Sequence, residues 1–449
     1  MRTFRENLII GYSGQYLMLN LISFRRKIIT INQYRMLETI KGLSHDNLSD
    51  EEMEFYNDLF NEKQLLSDEL IATYDKQRED SAPISKRKIG SITINLTYDC
   101  NFKCKYCYQK NFHAKPGEHM TVQDVDKIYS FILNYNALHN EDNHLKEIVI
   151  SGGESLLDEN LDAINHILEK FSCDKFKLFT NGVNIIKFAD RIKYEKFAEV
   201  QVSLDGTNDV IQELNNNTTA PFYNIIKGIL LLTEKGVKVS IISMVTKDSF
   251  LHLKDFLKQI ERYGLIDNPL ISIRFSFVVD YGAEYTLDTS FYNFNEYLQL
   301  RRDVVKMVTG KKNISVDRLY DLNFLSSVIY RQKNDKTLGR IGMCKTQEGF
   351  PLLFAPDRNI YWCTCTNKDK ALLSIDRNPV ELDTVELLNE LLNRNIYKID
   401  KCKKCLYRFV CSSGCALYAI HSNSSAYSSH CGIFQHPIFT EKAEQFLSL

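Results

Sequence analysis

The sequence predicts an α/β protein: a partial (β/α)6 barrel with a small α+β domain before it and a cysteine-rich domain after it. Three observations carry this reading. From residue 91, short apolar strands alternate with amphipathic helices; residues 1–85 follow a different order; and the twelve cysteines of the 449-residue chain fall mostly into two groups. A chain of this length exceeds one ordinary core, so two or three domains are expected.

The first region reads as three strands and two helices. ENLIIGY, GQYLMLNLI and RKIITI are the strands, with a glycine-containing turn after the first. NQYRMLETIKGL and SDEEMEFYNDLFNEKQL are the helices, and Ser49 with Glu52 forms a capping box for the second. The stretch DKQREDSAPISKRK is polar and aperiodic and reads as a linker. Six strands follow: SITINL (91–96), EIVI (147–150), KFKLF (175–179), EVQVSL (199–204), KVSIISMV (238–245) and LISIRFSF (270–277). Helices lie between most of them. In one, Leu253, Phe256, Leu257 and Ile260 keep an i, i+3, i+4, i+7 stripe, with Ser249 as N-cap and Gly264 as C-cap. Alternation of this kind implies a parallel sheet with right-handed crossovers. In barrels the chemistry sits at the carboxyl ends of the strands, and Cys100 comes just after the first strand. NFNEYLQLRRDVVKMV reads as a helix in a connector at 286–343. From 344 to 449, short apolar segments and cysteine-rich loops suggest a small domain organised by metal. The expected boundaries are therefore 1–85, 86–285, 286–343 and 344–449.

Composition excludes some classes. The formal net charge is −1, so nothing marks a nucleic-acid or polyanion binder. No apolar run approaches the ~20 residues of a membrane span, and the N-terminus lacks a signal-peptide pattern. A cytoplasmic protein without nucleic-acid or membrane partners is expected. Clustered thiols in that compartment point to metal or catalysis, not to disulfides.

The first cysteine group lies in CNFKCKYCYQ, where Cys100, Cys104 and Cys107 fall within eight residues. A zinc site usually closes with four protein ligands. A cluster held by three thiolates leaves one iron open. Spacing alone also suits half of a zinc site. Three further segments follow predicted strands in order: Ser151-Gly152-Gly153-Glu154, Phe179-Thr180-Asn181-Gly182 and Ser203-Leu204-Asp205-Gly206. Taken together, residues 91 to 280 resemble the radical SAM superfamily. The resemblance implies a 4Fe–4S cluster on Cys100, Cys104 and Cys107, with S-adenosyl-L-methionine chelating the open iron. Reductive cleavage then gives a hydrogen-abstracting 5′-deoxyadenosyl radical. It also implies that Tyr106 packs near the adenine, that Gly152, Gly153 and Glu154 receive the methionyl amino group, and that Ser203 is a polar contact to the cofactor. Many relatives follow SLDG with a His-Asp pair and an arginine for the cofactor carboxylate. Here Ile211 and Gln212 replace the pair and Asn215 stands near the arginine's place, with Lys247 and Arg274 as substitutes by position.

The second group is Cys402-x2-Cys405-x5-Cys411-x3-Cys415, then Cys431, with Cys344 and Cys363 upstream. It resembles the SPASM extension of radical SAM peptide and protein maturases. The resemblance implies two auxiliary 4Fe–4S clusters, one on Cys344, Cys363 and Cys415 and one on Cys402, Cys405, Cys411 and Cys431. Cys365 is a candidate fourth ligand of the first or a free thiol. A zinc ribbon on Cys402, Cys405, Cys411 and Cys415 is the plainer alternative. In APDRNIYWC, Arg358 stands where the family pattern has glycine, from which a slightly different turn is expected. Cys173 reads as a core thiol.

The N-terminal order βββαα looks like the small winged-helix domain with which ribosomal-peptide maturases capture a leader peptide at a sheet edge. The function expected is modification of a ribosomally made precursor peptide by hydrogen abstraction, forming a crosslink such as a thioether. Three 4Fe–4S clusters, S-adenosyl-L-methionine and an electron donor such as flavodoxin or ferredoxin would serve it. One alternative is an anaerobic sulfatase-maturing enzyme, which Thr364 disfavours by standing where those enzymes carry an aspartate. Another is a non-enzymatic zinc-binding adaptor.

Overall fold

The computed structural model of the chain describes residues 7–12, 15–80, 87–107, 109, 117–215, 221–277, 294–317, 351–364, 370–405, 407–411, 413–423, 425–429 and 431. Cys344, Cys365 and most of the connector lie outside them. The chain divides into two compact units. One draws on 1–84, 318–344 and 393–449, the other on 85–317 and 345–392. Residues 345–392 go with the central sheet.

In the first unit, β1 (Asn7–Tyr12), β2 (Gln15–Asn20) and β3 (Arg26–Ile29) form an antiparallel sheet in the order β1-β2-β3. Helices α1 (Ile31–Gly42) and α2 (Asp50–Asn61) follow. Met18 and Ile29 of the sheet share a core with Leu37, Ile40, Phe55, Tyr56 and Leu59 of the helices. The capping box of Ser49 and Glu52 is present, and α1 has a second one in Thr30 and Gln33. The stretch expected as a linker begins inside a third helix, α3 (Asp68–Asp80). Its inward side carries Leu70, Ile71 and Tyr74 and ends in the buried Arg78. Charged residues on the rest of its surface hide that stripe in the sequence.

The second unit is a ten-stranded mixed sheet in the order β10-β9-β8-β7-β6-β5-β4-β11-β12-β13. Its centre is the six expected strands, all parallel: β4 (Ser91–Asn95), β5 (Leu145–Ser151), β6 (Cys173–Thr180), β7 (Phe197–Ser203), β8 (Lys238–Val245) and β9 (Ile271–Phe277). Isoleucine and valine are buried along them, as parallel strands covered on both faces require. Helices α4 (Val122–Leu138), α5 (Leu161–Lys170), α6 (Asn208–Asn215), α7 (Phe222–Glu234), α8 (Lys247–Leu251) and α9 (Leu253–Arg262) lie between them in the chain, and α10 (Phe294–Val308) leads to the edge strand β10 (Ile314–Val316). The stripe of Leu253, Phe256, Leu257 and Ile260 is buried, and Gly264 has the left-handed φ of +70° that follows a helix end. Ser249 is not the cap of that helix. It is the third residue of α8 and completes a capping box whose N-cap is Thr246, because the segment breaks into α8 and α9 at His252.

Three short strands extend the sheet beyond β4. β11 (Leu352–Phe354) pairs parallel with β4, then β12 (Asn359–Tyr361) and β13 (Leu373–Ser374) add antiparallel. The β11–β12 turn corrects an expectation. Arg358 has φ +62°, so the turn keeps the left-handed backbone that glycine would serve. An L-residue there costs roughly 1–2 kcal/mol. The Arg358 guanidinium lies 3.0 Å from the carboxylate of Asp124 at the start of α4, an ion pair that offsets part of that cost.

Candidate active site

The loop after β4 carries Cys100, Cys104 and Cys107, and the carboxyl ends of β5, β6 and β7 close around it. Gly153 donates its N–H to the carbonyl of Thr97 at 2.7 Å, and Glu154 donates to the carbonyl of Asp99 at 2.8 Å. These bonds bring two backbones together at a distance that excludes a side chain. A Cβ on Gly153 would lie 2.3 Å from the Asp99 oxygen, and one on Gly152 would lie 2.6 Å from the Thr97 oxygen. The close approach of these glycines is thus to the cysteine loop itself.

Glu154 is buried, 1 % exposed. Its Oε1 accepts from the Leu156 N–H at 2.7 Å and the Thr180 hydroxyl at 2.6 Å, and its Oε2 accepts from the Asn181 N–H at 2.7 Å. Burial holds its carboxyl above the usual range, opposed by those three bonds. An ionised carboxylate has about four acceptor positions, so one remains for a cationic ligand. The carboxylate therefore ties the end of β5 to the end of β6. Asn181 extends the link: its Nδ2 donates to Asn101 Oδ1 at 2.6 Å and lies 4.0 Å from the Cys100 sulfur, which also accepts the Phe102 N–H at 3.3 Å.

The Tyr106 hydroxyl donates to Asp205, a buried carboxylate whose other oxygen accepts the Met244 N–H at 2.8 Å. Asp205 thus joins the cysteine loop to the ends of β7 and β8. It was missed as a site residue, although a carboxylate two positions past a parallel strand, within SLDG, is a usable signal. Ser203, at the end of β7, is exposed. Neither proposed substitute for the carboxylate arginine stands alone: Lys247 pairs with Glu296 at 3.0 Å and Arg274 with Asp317 at 3.7 Å.

Cys100 retains surface at the mouth of the loop, yet burial of its thiol, with Glu154 and Cys107 adding to it, pushes it up to about 12. Cys104 is pushed up further by burial and then by Asp205, Cys107 and Cys100. Two buried thiols with a third, Cys107, within reach of their charge, and N–H groups aimed at the Cys100 sulfur, are soft sulfur donors gathered on one loop. That chemistry fits an iron–sulfur cluster.

Of the second group, Cys402 and Cys411 are buried, and Cys405, Cys415 and Cys431 are half-buried. Cys402 and Cys405 each have Cys431 within electrostatic reach, and burial pushes Cys402 up to about 11 and raises Cys405. Cys363 follows β12 and is half-buried. Cys173, expected in the core, opens β6 and is also half-buried. Among the described residues, no helix is long and apolar enough to cross a membrane.

A parallel sheet with three cysteines after its first strand and a Gly-Gly-Glu after its second defines a class, and comparison with known proteins agrees. Residues 94–260 match the Radical SAM superfamily, a family that uses S-adenosylmethionine and a 4Fe–4S cluster. The chain is similar to a probable GTP 3′,8-cyclase of Methanococcus maripaludis, 29% identical over 178 residues, 39% of this chain and 57% of that protein. A second such protein, from Methanococcus aeolicus, is 27% identical over 244 residues, 53% of this chain and 76% of that one. The chain spans little more than half the length of most of these curated relatives. Among solved structures, SuiB of Streptococcus suis bound to precursor peptide SuiA aligns over 96% of this chain and 98% of that one, with TM-score 0.54 and 15% identity. Native anSMEcpe with bound AdoMet aligns over 80% of this chain and 96% of that one, with TM-score 0.55 and 19% identity. These likenesses show a shared fold.

Proposed function

We propose that the protein is a radical S-adenosylmethionine enzyme that modifies a ribosomally made precursor peptide, forming a crosslink such as a thioether. The observation that carries this reading is the length of the structural likeness. The alignment to the peptide-bound SuiB runs over 96% of the chain and so takes in the N-terminal strands and helices and the cysteine-rich end. The likeness to the nucleotide cyclase of Methanococcus maripaludis covers 39%.

In this reading Cys100, Cys104 and Cys107 hold a 4Fe–4S cluster. Gly152, Gly153 and Glu154 receive the cofactor's amino group at the carboxylate position that Leu156, Thr180 and Asn181 leave open. Tyr106 would pack near the adenine, and Ser203 would be a polar contact to the cofactor. Bound together, cluster and cofactor supply a hydrogen-abstracting radical. The chain's own residues orient it: Glu154 and Asp205 fix the strand ends against the cysteine loop before any ligand arrives, so little ordering cost remains at binding. Cys402, Cys405, Cys411 and Cys431 would hold an auxiliary cluster. The sheet β1-β2-β3 offers edge strands for a leader peptide, and a small electron-transfer protein such as flavodoxin or ferredoxin supplies the electron. Thr364 after Cys363 argues against the sulfatase-maturing alternative, since a hydroxyl is a poor base where those enzymes need a carboxylate.

The test is anaerobic incubation with S-adenosylmethionine, reductant and each candidate precursor, read by mass spectrometry. Loss of two hydrogens from a precursor peptide is the expected result. Turnover of GTP without change in any peptide would overturn the peptide reading in favour of nucleotide chemistry. A colourless protein that binds zinc and takes up no iron under strict anaerobiosis would sink both.

A further inference from the structure

Helix α3 and the cysteine-rich end, 333 residues apart in sequence, meet within one unit. Arg408 is 8 % exposed. Its Nε and Nη2 lie 3.3 and 3.0 Å from the two carboxylate oxygens of Asp75 on α3, and its Nη1 donates to the carbonyl of Cys405 at 3.0 Å. The backbone carbonyl of Asp75 accepts the Tyr397 hydroxyl at 2.9 Å. Beside them Cys402 is buried in one apolar cluster with Ile22, Leu66, Ile396 and Ile399, against which Leu70, Ile71 and Tyr74 pack. A second buried guanidinium, Arg394, donates to the carbonyls of Ser413 and Ser428 at 2.7 Å each, and to that of Ala426. Irregular backbone between cysteines must satisfy its carbonyls somewhere, and arginine forks supply several donors at once.

We propose that α3 is part of the wall of the centre formed by Cys402, Cys405, Cys411 and Cys431, with Asp75 and Arg408 as its positioning residues. They fix Cys405 and set the charge around an anionic metal–thiolate group. The proposal rests on reading those four cysteines as ligands of an iron–sulfur cluster.

The geometry gives each partner a separate task. A carboxylate gripped by two guanidinium nitrogens fixes the plane of the fork. The third nitrogen then fixes the Cys405 carbonyl. Since the Cys405 N–H in turn bonds the Cys402 carbonyl at 3.1 Å, the turn between the two thiols is set from α3. Electrostatically, four thiolates around an iron–sulfur core leave a net negative charge that increases on reduction. Arg408 favours the reduced form and Asp75 opposes it. Charge-removing changes at the two positions must therefore shift the potential in opposite directions, which a purely structural role would not produce.

The experiment uses the full chain, reconstituted anaerobically with iron and sulfide, in a background with Cys100, Cys104 and Cys107 changed to alanine. The signal of interest is the reduced-cluster electron paramagnetic resonance that Cys402→Ala removes, followed in a potentiometric titration. Asp75→Asn should move its midpoint upward, and Asp75→Glu should restore it. Arg408→Gln should move it downward and lower the iron retained on a desalting column. Arg408→Lys, which keeps the charge but lacks the fork, should hold the midpoint near wild type and still lose iron. Unchanged midpoints, or shifts of the same sign in Asp75→Asn and Arg408→Gln, overturn the proposal. Equal iron and identical spectra in the parent and in Cys402→Ala overturn the cluster reading itself, and the tuning role falls with it.

Discussion

The loop bearing Cys100, Cys104 and Cys107 and the segment running from Cys402 to Cys431 hold their thiols in place by different bonds. The first is set by main chain against main chain. Gly153 and Glu154 reach the carbonyls of Thr97 and Asp99, and buried carboxylates at strand ends join neighbouring loops. The second is set by side chain against main chain. Arg394 and Arg408 splint the carbonyls of short irregular segments, over an apolar cluster that borrows Ile22 and Leu66 from the other end of the chain. A site built on close backbone approach tolerates almost no added atom. A site built on long polar side chains is most sensitive to their removal.

The largest expected effect breaks the first site alone. In Gly153→Ala the new methyl group would meet the oxygens of Asp99 and Tyr98 at 2.3 and 2.5 Å, so the two loops must separate. S-adenosylmethionine cleavage should fall to background and iron should drop by one cluster, with the C-terminal centres intact. Iron analysis beside a cleavage assay checks this, and full cleavage activity would refute it. Next in size is Leu66→Ala, which opens the apolar cluster around Cys402 at a cost of about 2–5 kcal/mol. Here the expected loss is C-terminal iron, while uncoupled cofactor cleavage persists. Equal loss from both centres would mean the division drawn above is wrong. The smallest effect sharpens the comparison within the first site. Glu154→Gln keeps the shape of the side chain but turns an acceptor into an amide donor facing an N–H or hydroxyl, for roughly 1–3 kcal/mol. Affinity for S-adenosylmethionine, measured by calorimetry, should weaken about tenfold or more while iron content stays constant. Unchanged affinity would leave Glu154 as a loop tie only.

The contrast also explains what the sequence made legible. The six central strands stand where apolar alternation put them, and the glycine pair in Ser151-Gly152-Gly153-Glu154 marks a close approach because only glycine fits it. The partners of Glu154 were not legible, since Thr180 and Asn181 act through one hydroxyl and one backbone N–H. Helix α3 was hidden by its composition: the buried stripe of Leu70, Ile71 and Tyr74 ends in Arg78, and a buried arginine looks like surface in a hydropathy pattern. At Arg358, residue type suggested a changed turn, yet the hairpin imposed the left-handed backbone and a distant carboxylate compensated. The pairing of Asp75 with Arg408 leaves no local trace at all.

That pairing has a consequence for how the molecule is made. On a ribosome, α3 emerges long before Arg408 and Tyr397 exist, so its apolar side and Asp75 wait while the central sheet is synthesised. Joining residues 333 apart carries a chain-closure entropy cost of about 5 kcal/mol by the logarithmic rule, if the intervening chain were still unstructured. Prior folding of the intervening sheet shortens the effective loop and lowers that cost. The sequence of events this favours is β1–β3 with α1 and α2 first, the parallel sheet second, and the terminal cysteine segment last, closing over a surface kept open for it. A nascent chain stalled before residue 394 should therefore expose α3 to protease, and release of the last 56 residues should protect it.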